Sequence, residues 1–208
     1  SNDMVKVGCH DCKGCSACCC DMGESILLDP MDVWHLERNL GQSFEQLLAG
    51  AIDLHVEDGL ILPNLKMAPS ATGPKCSFLN EEGRCSVHPF RPGFCRLFPL
   101  GRLYENGSFQ YFLQTHECKK ENRTKVKVRK WIDIPDFGKY EKFVSDWHYF
   151  AKEMGQKIKS LGSEGQDKSK ALCLYVLKKF YMEPFDASVD FYEQFNKRLE
   201  EAKHAAAA

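Results

Sequence analysis

The 208-residue chain is 43% hydrophobic and 27% charged, an ordinary globular composition that excludes a disordered polymer. Its Lys+Arg 28 against Asp+Glu 29 leave a net charge of -1, which argues against a global attraction to nucleic acid or to acidic membranes. No apolar run approaches the ~20 residues of a membrane span. No basic stretch followed by an apolar one opens the chain, so no signal peptide is read and the cytoplasm is the expected compartment.

In chain order, Ser1 to Asp3 and Ala205 to Ala208 carry no pattern and are set aside. Asp29-Pro30 reads as an N-cap followed by proline at the first helical position. Val33, Leu36 and Leu40 then recur at helical spacing until Gly41. Ser43 and Gln46 predict a capping box for a second short helix bearing Phe44, Leu47 and Leu48. Ile52, Leu54 and Val56 alternate with polar residues, and Asp58-Gly59 turns the chain into Leu60-Ile61-Leu62, a hairpin. A second hairpin is predicted from Arg102 to Leu113 around Asn106-Gly107. Val126 and Val128 alternate with Lys125, Lys127 and Arg129, an edge-strand pattern. From about Lys139 the chain is expected to be helical. Tyr140, Phe143, Val144, Trp147, Ala151, Met154 and Ile158 trace one face. A helix with Leu172, Tyr175, Val176 and Phe180 follows, and Ser188 is read as the cap of a last one. The expected fold is α+β, with a Cys-rich part over residues 4–135 and a helical extension over 136–204.

The chain holds 11 cysteines, and their spacing is more informative than their number. Cys9, Cys12, Cys15, Cys18, Cys19 and Cys20 crowd the start. Cys76, Cys85, Cys95 and Cys118 follow, and Cys173 stands apart. A disulfide framework normally has an even count, a secretory route and a chain too short for a core. Dense thiols at short spacings in a reducing compartment read instead as metal ligands. Two Cys separated by two residues can reach one metal from a single turn, and Cys12, Cys15 and Cys18 repeat that spacing.

The run C-x2-C-x2-C-C from Cys12 to Cys19 is followed by Cys76-Ser-Phe-Leu and Gly83-Arg-Cys85-Ser-Val87. Then comes Arg91-Pro-Gly-Phe-Cys95-Arg-Leu-Phe-Pro99. Together they resemble the YkgJ family of cysteine-cluster proteins, named for zinc or iron chelation, which also includes the flagellin lysine N-methylase. The similarity spans about residues 9–118. It implies a metal centre held by Cys12, Cys15, Cys18, Cys19, Cys76, Cys85, Cys95 and Cys118, with no settled reaction. Cys9, His10 and Cys20 are extra potential ligands. Lys119-Lys120 stand where the family usually has Pro-Gly.

Eight thiolates fit two closed four-cysteine zinc sites or an iron–sulfur cluster, so zinc and iron–sulfur both stay open. Cys9-x2-Cys12-x2-Cys15-x3-Cys19 copies a ferredoxin spacing, with Cys20 where that pattern has proline. His88 and His116 lie near Cys85 and Cys118, in reach of a ligand or supporting role. Arg91 and Arg96 either donate to sulfur or fix loops, and Cys173 reads as a buried structural thiol. Adjacent residues of an extended segment point to opposite sides, and a tight turn also separates them unless the peptide is strained. Cys18 and Cys19 are therefore expected to serve different ions, one with N-terminal thiols and one with the Cys76–Cys95 block. The segment 119–130 holds seven cations, an edge strand open to a protein partner. No nucleotide, P-loop or hydrolase signature is present. A methyltransferase-like enzyme rests on the resemblance alone, and an electron-transfer module is a further alternative.

Overall fold

The computed structural model describes residues 2–9 and 15–207. Seven α-helices and eight strands occur among the described residues, and the strands form four separate antiparallel pairs. Strand β1 (Met4–Gly8) leads to a single 3-10 turn, Ala17–Cys19. Helix α1 (Pro30–Leu40) begins at Asp29, whose carboxylate accepts the Asp32 N–H while the Asp32 carboxylate accepts the Asp29 N–H. Gly41, at φ 64, ends it in the left-handed region that favours glycine. Helix α2 (Phe44–Gly50) has the expected Ser43/Gln46 box. Both hairpins form. Strands β2 (Ile52–Glu57) and β3 (Leu60–Leu65) pair from Ile52↔Leu65 to Glu57↔Leu60.

Next come β4 (Met67–Ala68), β5 (Lys75–Cys76) and the five-residue helix α3 (Gly93–Leu97). The second hairpin joins β6 (Leu100–Glu105) to β7 (Ser108–Leu113) through Asn106-Gly107. Strand β8 (Thr124–Lys127) precedes α4 (Val128–Ile132), α5 (Phe137–Ser160), α6 (Gln166–Leu177) and α7 (Phe191–Ala207).

One hydrophobic cluster runs through both halves, from Val7, Leu36 and Leu47 to Phe143, Phe180 and Phe195. Helix α5 lies on the first hairpin. A Cβ on Gly155 would sit 2.5 Å from the Asp58 carbonyl oxygen, so glycine is what permits this approach. Tyr181 donates its hydroxyl to the Leu28 carbonyl at 2.9 Å, tying the helical extension to the start of α1.

Four local expectations change. The basic edge strand over 119–130 shrinks to Thr124–Lys127, because the buried Val128 starts α4 and carries Arg129 and Lys130 into a helix. That strand also has a partner, since β1 pairs with it from Met4↔Lys127 to Gly8↔Thr124. Asp190, not Ser188, caps α7, accepting the Glu193 N–H at 3.1 Å, while Ser188 bonds Asp186. Both ends that were set aside take part: the Asp3 carbonyl accepts the Val128 N–H at 3.0 Å, and the Ala206 carbonyl accepts from Lys157. Short end segments carry too little pattern to reveal such backbone roles. No described helix is long and apolar enough to cross a membrane.

Candidate metal centre

Backbone bonds bring the cysteine segments together. Cys20 forms an antiparallel bridge with Lys75, and the Asp21 N–H donates to the Pro74 carbonyl at 2.9 Å, so the N-terminal run lies against Cys76. A tight turn closes at Gly83, φ 71, where the Asn80 N–H reaches the Arg84 carbonyl and Leu79 bridges Cys85. Cys95 sits in α3, whose first residue is held from α1: the Gly93 N–H donates to Asp32 Oδ1 at 2.7 Å. A Cβ on Gly93 would lie 2.7 Å from the Tyr140 hydroxyl, so this anchor also requires glycine.

The result is a cavity of about 60 Å³ whose lining includes Cys15, Cys18, Cys19, Cys76, Cys85 and Cys95. That is several times the ~10–15 Å³ needed for one water. Arg84, His88 and Arg91 face it as well. An adjoining cavity of about 240 Å³ is lined by Cys9, Cys15, Cys18 and Cys118. Of the eight thiols singled out from the sequence, seven therefore line one or both cavities, and Cys12 lies outside the described residues, as does His10. Among the described residues no three Cys, His, Asp or Glu side chains converge on a single metal position. The thiols ring the space rather than meet in it.

Electrostatics favour a cation there. Burial, and then the Asp32 carboxylate and neighbouring thiolates, push the Cys95 thiol above its ordinary value, and burial with neighbouring thiolate charge does so for Cys76. Burial does the same to Cys85, against the pull of Arg91 and Arg84. Cys19 is pushed up as the donor in a hydrogen bond to Cys18, with burial adding to it. That bond draws Cys18 down to about 7, with Arg91 assisting and burial opposing. Without a counter-charge the set holds back its own ionisation, whereas a bound metal ion deprotonates coordinating thiols outright. The donor set therefore fits a thiophilic metal, because soft thiolates select zinc and iron–sulfur centres.

The vicinal pair lies in a tight turn. Cys18 and Cys19 lie in a 3-10 turn, close enough that each shifts the other's pKa. Side chains about 120° apart in such a turn stay on neighbouring faces. Both line the first cavity, and only Cys18 also lines the second.

The remaining candidates separate cleanly. Cys20 stands near enough to Cys76 to raise its pKa but lines neither cavity. Cys173 is buried on α6, its Sγ 3.2 Å from the Gly59 carbonyl oxygen. His88 is on the first cavity wall, with Arg91 Nη1 2.9 Å from its ring nitrogens; His116 is exposed and lines neither. Arg96 fixes loops, donating to the carbonyls of Arg91, Ile132 and Asp133. Sequence reasoning passed over Asp32, which is only 6% exposed. Burial, and then Asp29, raise its pKa well above the usual carboxylate range. The acid three residues after the Asp29 cap was the available signal, pointing to a box but not to Gly93.

Comparison with curated proteins and with solved structures returned no match. A family model, CxxCxxCC, described as "Putative zinc- or iron-chelating domain", matches residues 11–129. The match begins just before Cys12, ends past Cys118 and takes in more than half of the chain. With its thiols gathered around two adjoining cavities and its motifs inside that match, the chain belongs to the CxxCxxCC family, for which YkgJ is a broader name.

Proposed function

We propose that this protein holds zinc or an iron–sulfur cluster through thiolates drawn from Cys12, Cys15, Cys18, Cys19, Cys76, Cys85, Cys95 and Cys118. The observation that carries the reading is the first cavity, whose lining takes cysteines from segments as far apart as Cys15 and Cys95. When bound, zinc in a closed four-thiolate site supplies folding energy, and an iron–sulfur cluster supplies electron transfer. The chain's own part is to position the donors. Asp32 anchors the helix that carries Cys95, and Arg84 and Arg91 supply positive charge beside the sulfurs. A reducing compartment such as the cytoplasm keeps such thiols available.

Elemental analysis and visible absorbance of the full chain, purified with and without oxygen, test the reading. A broad visible band with iron and inorganic sulfide assigns a cluster, and stoichiometric zinc in a colourless protein assigns zinc. Substoichiometric metal in both preparations refutes it. The basic segment suits an acidic protein partner, because Lys6 lies directly across from Lys125 in the β1–β8 pair and like charges so placed repel. Lys6→Glu with Lys125→Glu should abolish low-salt binding to polyglutamate, and unchanged binding would exclude this face.

A further inference from the structure

We propose that the cavity between the first hairpin and α5 binds a free α-amino acid with an apolar side chain, its carboxylate directed to Arg102 and its ammonium to Asp29. This goes beyond the metal-binding reading and uses none of its thiols.

The cavity has a volume of about 470 Å³, within the ~300–1,000 Å³ of small-molecule sites. The start of α1, the first hairpin, α3, β6 and α5 all supply its lining. Much of the wall is apolar, with the buried Leu28, Leu60, Leu62, Leu97, Val144 and Trp147 among its residues. Tyr104 and His148 add a ring stack, their centroids 3.6 Å apart. Such a surface suits a hydrophobic side chain, whose removal from water favours binding.

The charged lining divides by depth. Glu57, Asp58 and Lys152 are exposed at the mouth. There Asp58 pairs with Lys159 at 2.7 Å and Glu57 with His55 at 3.6 Å. Asp29, Asp32 and Arg102 lie deeper. Asp32 has both oxygens committed, Oδ1 to the Gly93 N–H and Oδ2 to the Asp29 N–H. Asp29 commits Oδ1 to the Asp32 N–H at 2.9 Å, and a carboxylate keeps acceptor capacity beyond one such bond. Arg102 donates from Nη2 to the Tyr140 hydroxyl at 2.9 Å, while its Nε is enclosed without a hydrogen-bond partner. Its guanidinium carbon lies 5.4 Å from the Phe109 ring centroid, 5.8 Å from that of Tyr111 and 5.4 Å from that of Tyr140.

Buried charges in proteins are normally paired. Arg102 is near enough to lower the Asp29 pKa, yet among the described residues neither forms an ion pair, with the other or with a third group. An acid and a base that sense each other across one cavity without touching match the two charges of a zwitterion. The neighbouring ammonium and carboxylate of an α-amino acid complete both pairs at once and bring no net charge into the interior. A simple carboxylate leaves Asp29 repelling it, and a simple amine leaves Arg102 repelling it.

Equilibrium dialysis of the full chain against labelled L-leucine, L-methionine and L-phenylalanine tests the site. At least one should bind saturably at one molecule per chain. For the tightest of them, the analogue without the amino group and the analogue without the carboxyl group should each bind at least tenfold more weakly. No binding of any of the three overturns the proposal, and so does equal affinity for either analogue. Ala151→Phe fills the cavity from α5 with both charges left in place and should abolish binding. A folded Ala151→Phe chain that binds like wild type overturns the site, and if that variant does not fold the analogue series on the wild type decides. Metal content of the same samples keeps the two readings apart. Full metal loading with no bound amino acid overturns this site alone, and bound amino acid without metal overturns only the metal-binding reading.

Discussion

Replacing Asp32 with alanine should destabilise the protein by about 2–4 kcal/mol. The carboxylate accepts two backbone N–H groups, from Asp29 at 3.1 Å and from Gly93 at 2.7 Å. The Gly93 bond is buried, so its donor has no water to turn to, and an orphaned buried donor costs about 1–3 kcal/mol. Loss of the capping interaction adds about 1 kcal/mol. Removing a carboxyl that burial disfavours returns part of this, which holds the total near the stated range. At ~2–4 °C per kcal/mol for a chain of this size, the melting temperature should fall by about 5–15 °C. Asp32→Asn should fall between the two, since its carbonyl oxygen can still accept from Gly93 while its amide cannot accept from Asp29. The assay is thermal melting of wild type, Asn and Ala variants at pH 7, paired with metal content, because the Gly93 anchor positions Cys95. The carboxyl pKa values of Asp29 and Asp32 are raised on folding, Asp29 to about 6, so the native state binds more protons than the unfolded one between about pH 4 and 6. Stability contributed by the pair therefore falls as pH rises through that window, and Asp32→Asn should flatten the slope. An alanine variant melting within about 1 °C of wild type would refute this account.

Gly155→Ala should cost about 1–3 kcal/mol by forcing α5 off the Asp58 carbonyl, as overpacking does; a chemical denaturation midpoint equal to wild type would contradict the contact. Glu37, raised to about 7 chiefly by burial, binds its proton more tightly when folded, so stability should fall between about pH 4.5 and 7. Glu37→Gln should remove that dependence in denaturation curves at pH 5 and pH 8, and identical pH profiles would disprove the shift. Cys173→Ala should keep full metal content while losing about 1 kcal/mol of stability, since its sulfur lies against the hairpin turn at Gly59 and lines neither cysteine-rich cavity. Any loss of metal would return Cys173 to the ligand candidates.

Where local chemistry decides local structure, the sequence was legible. Asp29-Pro30, Ser43 with Gln46, Asp58-Gly59 and Asn106-Gly107 each carry their cap or turn in the residue types themselves, and each formed. The cysteine motif likewise pointed to one metal-binding region. What stayed hidden depends on distant partners. Val5 and Val7 are too few to announce a strand, and β1 exists because Thr124–Lys127 arrives to pair with it. The link from Asp32 to Gly93 spans 61 residues, and no periodicity encodes it. The turn at the vicinal cysteines was not announced, because a 3-10 turn requires only three residues and leaves no apolar repeat to recognise.

The pairing of residues 4–8 with 124–127 also sets a schedule during synthesis. Cys9 leaves the ribosome 109 residues ahead of Cys118 (118 − 9), and at ~5–20 residues per second that interval is roughly 5–20 s. For part of that time the first six cysteines are nascent thiols without Cys76, Cys85 and Cys95, and for all of it they are without Cys118. They are then open to oxidation and to the wrong metal, because the Irving–Williams order favours copper over zinc. A chain whose last clustered cysteine follows its first by so long an interval depends on the reducing power and metal buffering of the compartment in which it is translated.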